Sequence, residues 1–136
     1  MASQTCEIGD DIVAEFKKFK LSKSRKTNVI IFKINVKELV VETEEVLEGA
    51  DWEQLVEDLP ESVPRYMAVS YEWKMKDDRI SYPLIFVYYS PEASAKLNML
   101  YASTKSRLAT ALELSKEHDV HSREEMLELA KKLSIN

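Results

Sequence analysis

Lys96-Leu97-Asn98-Met99-Leu100-Tyr101-Ala102-Ser103-Thr104-Lys105-Ser106-Arg107-Leu108 lies inside a longer run, Ser94 to Leu112, that contains neither glycine nor proline. The run predicts one helix about 28 Å long. Leu97, Leu100, Tyr101, Thr104, Leu108, Ala111 and Leu112 recur at i, i+3, i+4 and i+7, so they share one mostly apolar face. Lys105 and Arg107 fall on opposite flanks of that face, and Asn98, Met99, Ala102 and Ser106 lie towards the back. A back of small residues and one methionine, edged by two cations, is either a solvated surface or a place that receives a partner. Periodicity alone leaves both readings open.

Outward from this helix, the chain alternates strand and helix signals. On the C-terminal side, Glu117 to His121 suits a short strand. Ser122 then caps a last helix, with Glu125 at the capping-box spacing and Met126, Leu127, Leu129, Ala130 and Leu133 as apolar positions. On the N-terminal side, Ser90-Pro91 ends a strand running from Ile80 to Tyr89, in which Pro83 cannot donate a ladder hydrogen bond and should mark a bulge or an edge. A polar Lys74 to Arg79 loop joins it to a strand from Tyr66 to Trp73. Pro60 and Pro64 bracket a connection to a short acidic helix, Trp52 to Leu59, begun by Asp51. Before it come a strand at Leu39-Val40-Val41-Glu42, a turn at Asn35 to Lys37, and the run Val29-Ile30-Ile31-Phe32-Lys33-Ile34, apolar on both faces as a strand covered on both sides should be. Leu21 to Thr27 reads as a basic loop. The first helix is capped by Asp10 or Asp11, carries a core stripe of Ile12, Val13, Phe16 and Phe19, and ends in Lys17, Lys18 and Lys20, where cations complement the helix dipole. The order α β β α β β α β α predicts an α+β fold: one domain over residues 1–136, with a mixed sheet between helices. The crossover through the long helix should lay the fifth strand parallel to its neighbour.

Composition narrows the function classes. The 136 residues are 45% hydrophobic and 32% charged, which suits a folded domain rather than a disordered chain. No run approaches the ~18 apolar residues of a membrane span, and Met1-Ala2-Ser3-Gln4-Thr5-Cys6-Glu7 has no signal-peptide pattern, so the expected location is the cytoplasm, with passage into the nucleus at this size. The single cysteine, Cys6, permits no internal disulfide. A net charge of −5 argues against nucleic acid as partner. Its distribution is polar: Lys17, Lys18, Lys20, Lys23, Arg25 and Lys26 form a cationic run without an acid, whereas Glu38 to Glu61 contains ten acids and no cation. Such polarity favours oriented docking on a charged partner, and two solvated faces of an ordinary domain would read the same way.

Catalytic signals are missing. Gly9 and Gly49 belong to no phosphate-binding pattern. His118 and His121 match no zinc signature and would point to opposite faces of a short strand. Cys6 is expected in a mobile N-terminus without a histidine partner. Neither metal, cofactor nor enzymatic activity is expected. Of Trp52, Trp73 and the six tyrosines, most sit in strand patterns that should bury them, and the basic residues do not interleave with them as single-strand nucleic-acid binding would require.

Met99-Leu100-Tyr101-Ala102-Ser103-Thr104-Lys105 resembles the signature helix of the actin-depolymerising-factor homology (ADF-H, cofilin-like) domain family. Two further sets of segments resemble its glia maturation factor branch: Leu47-Glu48-Gly49 with Glu57-Asp58-Leu59-Pro60-Glu61 and Pro64-Arg65-Tyr66, and Val69-Ser70-Tyr71 with Asp78-Arg79-Ile80-Ser81-Tyr82-Pro83-Leu84 and Ser90-Pro91. The resemblance implies a non-enzymatic regulator that binds the actin-related protein 2/3 complex, inhibits branch nucleation and promotes debranching at cortical branched actin. The alternative it leaves is a cofilin-type protein that severs or depolymerises filaments. Carried over by position, the contact surface comprises Lys17 and Lys20 of the first helix and Lys105 and Arg107 of the long one, with Met99 and Ser106 between them. A monomer is expected, since no sustained apolar face is left unassigned, and actin binding at filament sides should be weak, because Asp77 and Asp78 offset Lys74, Lys76 and Arg79 in the loop that corresponds to a filament-binding region of cofilin. Phosphate on Ser3, near the basic surface, would weaken binding.

Overall fold

The Val29–Ile34 run becomes the second strand of a five-stranded sheet because its side chains are apolar to both sides. In the computed structural model, which describes residues 6–21, 27–133 and 135, the elements are α1 (Asp10–Lys20), β1 (Asn28–Asn35), β2 (Val40–Leu47), α2 (Trp52–Asp58), β3 (Arg65–Ser70), β4 (Trp73–Lys74), β5 (Ile80–Ser81), β6 (Leu84–Tyr89), α3 (Ala95–Ala111), β7 (Glu117–Val120) and α4 (Arg123–Leu133). The strand order is β2-β1-β3-β6-β7, with β4 and β5 forming a separate two-stranded ribbon. All sheet pairs are antiparallel except β6 with β7, as the crossover through α3 predicts. Ser3 and the basic positions 22–26 lie outside the described residues.

Strand alternation divides the core into two layers. Ile30, Phe32 and Ile34 of β1, Tyr66 and Ala68 of β3, and Phe86 and Tyr88 of β6 meet Ile12, Phe16 and Phe19 of α1 and Leu100, Tyr101, Leu108 and Ala109 of α3. Their alternates Val29, Ile31, Met67, Val69, Ile85, Val87 and Tyr89 meet Trp52, Leu55 and Val56 of α2 and Met126, Leu129 and Ala130 of α4. On this second side Asp51 caps α2 through the Glu53 and Gln54 amides, and Ser122 Oγ accepts from the Glu125 amide to start α4. Trp52 Nε1 donates to the Met126 carbonyl at 2.8 Å, joining the two helices.

α3 is held to the sheet by hydroxyls as well as apolar contacts. Ser94 Oγ accepts from the Leu97 amide at its start. Tyr66 Oη donates to the Tyr101 carbonyl, and Tyr101 Oη accepts from the Ile34 amide at 3.0 Å, beyond the last β1–β3 pair. Thr104 Oγ1 donates to the Leu100 carbonyl and accepts from the Cys6 amide. From Cys6 the chain continues to the sheet edge, where the Glu7 amide donates to Leu39 O and Glu7 O accepts from the Val41 amide. The expectation of a mobile Cys6 is therefore corrected: the residue is fully buried between α3 and β2, because its amide finds a partner on a helix distant in sequence.

Three further differences from the sequence reading have local causes. Gly9, not Asp10 or Asp11, occupies the N-cap of α1, and no side chain caps it; both aspartates stand in the first turn, where the dipole still favours them. β2 extends to Leu47, beyond the expected Glu42, with register shifting between Ile31↔Glu45 and Phe32↔Thr43 so that Glu44 is the extra residue of a bulge. Glu44 there meets Arg65 at 3.1 Å. The strands expected at Tyr66–Trp73 and Ile80–Tyr89 are each interrupted near Pro83. The Tyr71 amide donates to Pro83 O, Pro83 has no N–H to return, and the hairpin resumes only at Trp73↔Ser81. Trp73, Ile80 and Tyr82 are exposed on this projecting ribbon, contrary to the expectation that strand aromatics are buried.

Replacing Thr104 by Val removes the acceptor of the buried Cys6 amide at nearly constant volume. Chemical denaturation should report a loss of about 1–3 kcal/mol, and the Cys6 thiol should become accessible to alkylation in the folded protein.

Candidate functional site

The helix pattern that buries one side of α3 leaves the other to solvent. Leu100, Tyr101, Thr104, Leu108 and Ala109 are buried, whereas Met99, Ala102, Ser106 and Arg107 are exposed, Met99 with 74% of its surface. Exposure on that scale for a methionine leaves an adaptable apolar side chain standing in water. Lys17 and Lys20 are exposed in the last turn of α1, which covers the same side of the sheet as α3. The Lys20 ammonium stands 5.7 Å from the centroid of the Phe16 ring, within reach of a cation–π contact.

The two flanking cations of α3 face different neighbours. Burial raises the Cys6 thiol above its ordinary range, and the Thr104 hydroxyl and then the Arg107 charge oppose that rise. Lys105 lies over the far edge of the sheet. Its Nζ lies 3.1 Å from Asp119 Oδ1 and 3.3 Å from Oδ2, and 5.4 Å from the Tyr88 ring centroid. Tyr88 and Asp119 are register partners across β6 and β7, so both point to the α3 side. The structure thus places Met99, Ser106 and Arg107 on the open back of α3 and the α1 lysines in the same layer, while Lys105 is half-buried in an internal ion pair. Asp119 and Tyr88 were absent from the sequence reading. The alternation His118-Asp119-Val120, with Val120 in the opposite core layer, is the signal that puts Asp119 beneath α3.

Elsewhere the polar groups serve local structure. His121 Nδ1 is 3.3 Å from Ser90 O. Burial, followed by Lys132, holds His118 below its ordinary pKa. At the ribbon tip Lys74 pairs with Asp78 and Arg79 with Asp77. No group of three or more His, Cys, Asp or Glu side chains suited to a metal ion occurs among the described residues.

Comparison with known proteins shows the family and the fold. Residues 5–133 match the family model described as cofilin/tropomyosin-type actin-binding protein. The chain is similar to glia maturation factor beta of Mus musculus, at 35% identity over 124 residues that span 90% of this chain and 87% of that protein. It is also similar to the cofilin of Ogataea parapolymorpha, at 33% identity over 116 residues, or 82% and 78% of the two chains. In three dimensions it is similar to the solution structure of glia maturation factor from Caenorhabditis elegans, with a TM-score of 0.77 and 33% identity over 95% of this chain and 99% of that one.

Two outcomes follow for stability. Because Asp119 keeps 48% of its side chain in solvent, Lys105→Ala should cost no more than about 1 kcal/mol in thermal or denaturant unfolding, so a binding defect in that variant reports the surface and not the fold. The lowered pKa of His118 has the opposite consequence from an ion-paired histidine. The unfolded chain takes up the proton first as pH falls below about 6.5, so stability present above that pH declines on acidification. His118→Gln should flatten that part of a melting-temperature profile.

Proposed function

As the chain belongs to the cofilin/tropomyosin-type family of actin-binding proteins, we propose that it is a glia-maturation-factor-type regulator. In this reading, residues 1–136 form a single ADF-H domain that binds the actin-related protein 2/3 complex, inhibits nucleation of branches and promotes debranching, without enzymatic turnover. It works as a monomer in the cytoplasm, at cortical branched actin. The observation that carries this reading is the open back of α3, with Met99 exposed and Ser106 and Arg107 beside it, on a chain whose likeness to glia maturation factors spans nine-tenths of its length.

The mechanism uses ordinary interface energetics. The back of α3 enters the groove at the barbed end of an actin-related subunit, and Met99 supplies the apolar insertion. Fully burying such a side chain contributes on the order of 1.5–3 kcal/mol, a tenfold change in affinity or more. Lys17, Lys20, Lys105 and Arg107 oppose an acidic rim, fixing orientation and raising the encounter rate more than the final affinity. Occupancy dissociates a branch only if the occupied conformation of the complex holds the daughter filament less well, which requires different affinities for the two states.

The cofilin-type alternative has one observation in its favour, the apolar ribbon of Trp73, Ile80 and Tyr82. Against it, Lys74 and Arg79 at the ribbon tip are paired with Asp78 and Asp77. Pull-down and sedimentation with actin monomers, actin filaments and the purified complex separate the readings: preferential binding to the complex supports the first, and comparable binding to filaments the second. In single-filament debranching, Met99→Asp combined with Arg107→Ala should lower activity at least tenfold at fixed concentration, with Lys17→Ala/Lys20→Ala giving a smaller, salt-sensitive loss. Full debranching by the well-folded Met99→Asp/Arg107→Ala protein would overturn the assignment of the surface.

A further inference from the structure

Within the proposed surface, Lys105 has an intramolecular carboxylate beside it, and that geometry has a consequence for binding. The ammonium is flanked by both Asp119 oxygens and by the Tyr88 ring, with 23% of the Lys105 side chain exposed. Asp119 comes from β7, the edge strand, whose parallel register on β6 sets it beside Tyr88 under α3. Its own side chain is 48% exposed, so its charge is also felt outside the protein. A partner that presents acids to this flank of α3 therefore meets a cation already neutralised and a carboxylate of its own sign.

We propose that Asp119 is an internal competitor for Lys105: it weakens docking of an acidic partner on α3 and restricts productive docking to partners that can displace it from the ammonium. The proposal rests on the functional reading above and deepens it, because it assigns to a residue outside the contact helix a role in setting affinity and partner choice. Two contributions act in the same direction. The Lys105–Asp119 pair must open for Lys105 to reach an outside carboxylate, and while it is closed Asp119 repels that carboxylate. The Lys105 ammonium also lies 5.4 Å from the Tyr88 ring centroid, and because it ends a long flexible side chain, the exchange shifts the head group and leaves the helix where it is.

The test compares equilibrium binding of the purified actin-related protein 2/3 complex by the 136-residue protein and four variants at near-physiological and raised salt. Asp119→Asn removes the competing charge at constant volume and should bind about three- to fivefold more tightly, matching the weak coupling of a half-exposed pair. Asp119→Glu, which retains a carboxylate, should stay near wild type. Lys105→Met keeps a long unbranched side chain without the charge, and in that background Asp119→Asn should lose most of its gain, because the freed ammonium is no longer there to use. The gain should shrink at raised salt. Wild-type binding with an unchanged or weakened Asp119→Asn variant overturns the proposal and leaves the functional reading standing, as does an equal gain with and without Lys105. Failure of wild type and Asp119→Asn alike to bind the complex overturns the functional reading and the proposal with it.

Discussion

The fold depends on how α3 is fixed over β1 and β3. A 17-residue helix could slide or rotate on an apolar layer with little penalty. Buried hydroxyls forbid it: Tyr66 donates to the Tyr101 carbonyl, Tyr101 receives the Ile34 amide, and Thr104 receives the Cys6 amide. Each pairs a group that would be costly to leave unsatisfied in a core where Tyr66 and Thr104 are wholly inaccessible and Tyr101 nearly so. The same contacts define which side of α3 faces outward. An adaptable methionine can act as a positioned binding element only because the helix beneath it has one rotation and one register. The strap from Cys6 through Glu7 then ties the entrance of α1 to that frame, so the α1 lysines and the back of α3 belong to one layer.

Much of this was legible in the residues, and the failures follow a rule. α3 was readable end to end because its signals are local: a serine cap, a run without glycine or proline, and a 3.6-residue period that buries Leu100, Tyr101, Thr104 and Leu108 and exposes Met99 and Ser106. The two-sided apolar run of β1 was readable for the same reason, and the parallel sense of β7, though not its register, from the crossover through α3. The far half of β2 was not: Thr43-Glu44-Glu45-Val46 combines weak strand propensity with a bulge, and an edge strand can be solvated where a central one cannot. Cys6 was misjudged because its partner, Thr104, is 98 positions away. The break at Pro83 was anticipated in kind but not in extent, since one missing donor opens the ladder on both strands of the hairpin.

The site divides along the same line. Lys17, Lys20, Met99, Ser106 and Arg107 were readable as exposed because exposure on a helix is a local matter of phase. Lys105 has the same kind of helical position but another environment, because its neighbour Asp119 arrives from the next strand and depends on the pairing of β7 with β6. Helical phase specifies the direction in which a side chain leaves the axis. It carries no information on what the sheet places at the end of that direction.

Asp119 also has a structural reason to exist. β7 is an edge strand, and a charged side chain directed towards the body of the protein is one of the ways natural sheets discourage pairing with another chain. A carboxylate placed there for that purpose must be matched, and Lys105 is the nearest cation that α3 can offer without disturbing its apolar face. Protection of the sheet edge and presentation of a basic helix therefore draw on the same ammonium. The two demands are reconcilable because the pair is weak: half-exposed ions exchange partners at small free-energy cost, whereas a fully buried pair would have committed Lys105 permanently. Under the proposed function, partial solvent access at this contact is what would allow a stabilising ion pair of the isolated domain to serve, in a complex, as an adjustable restraint on binding.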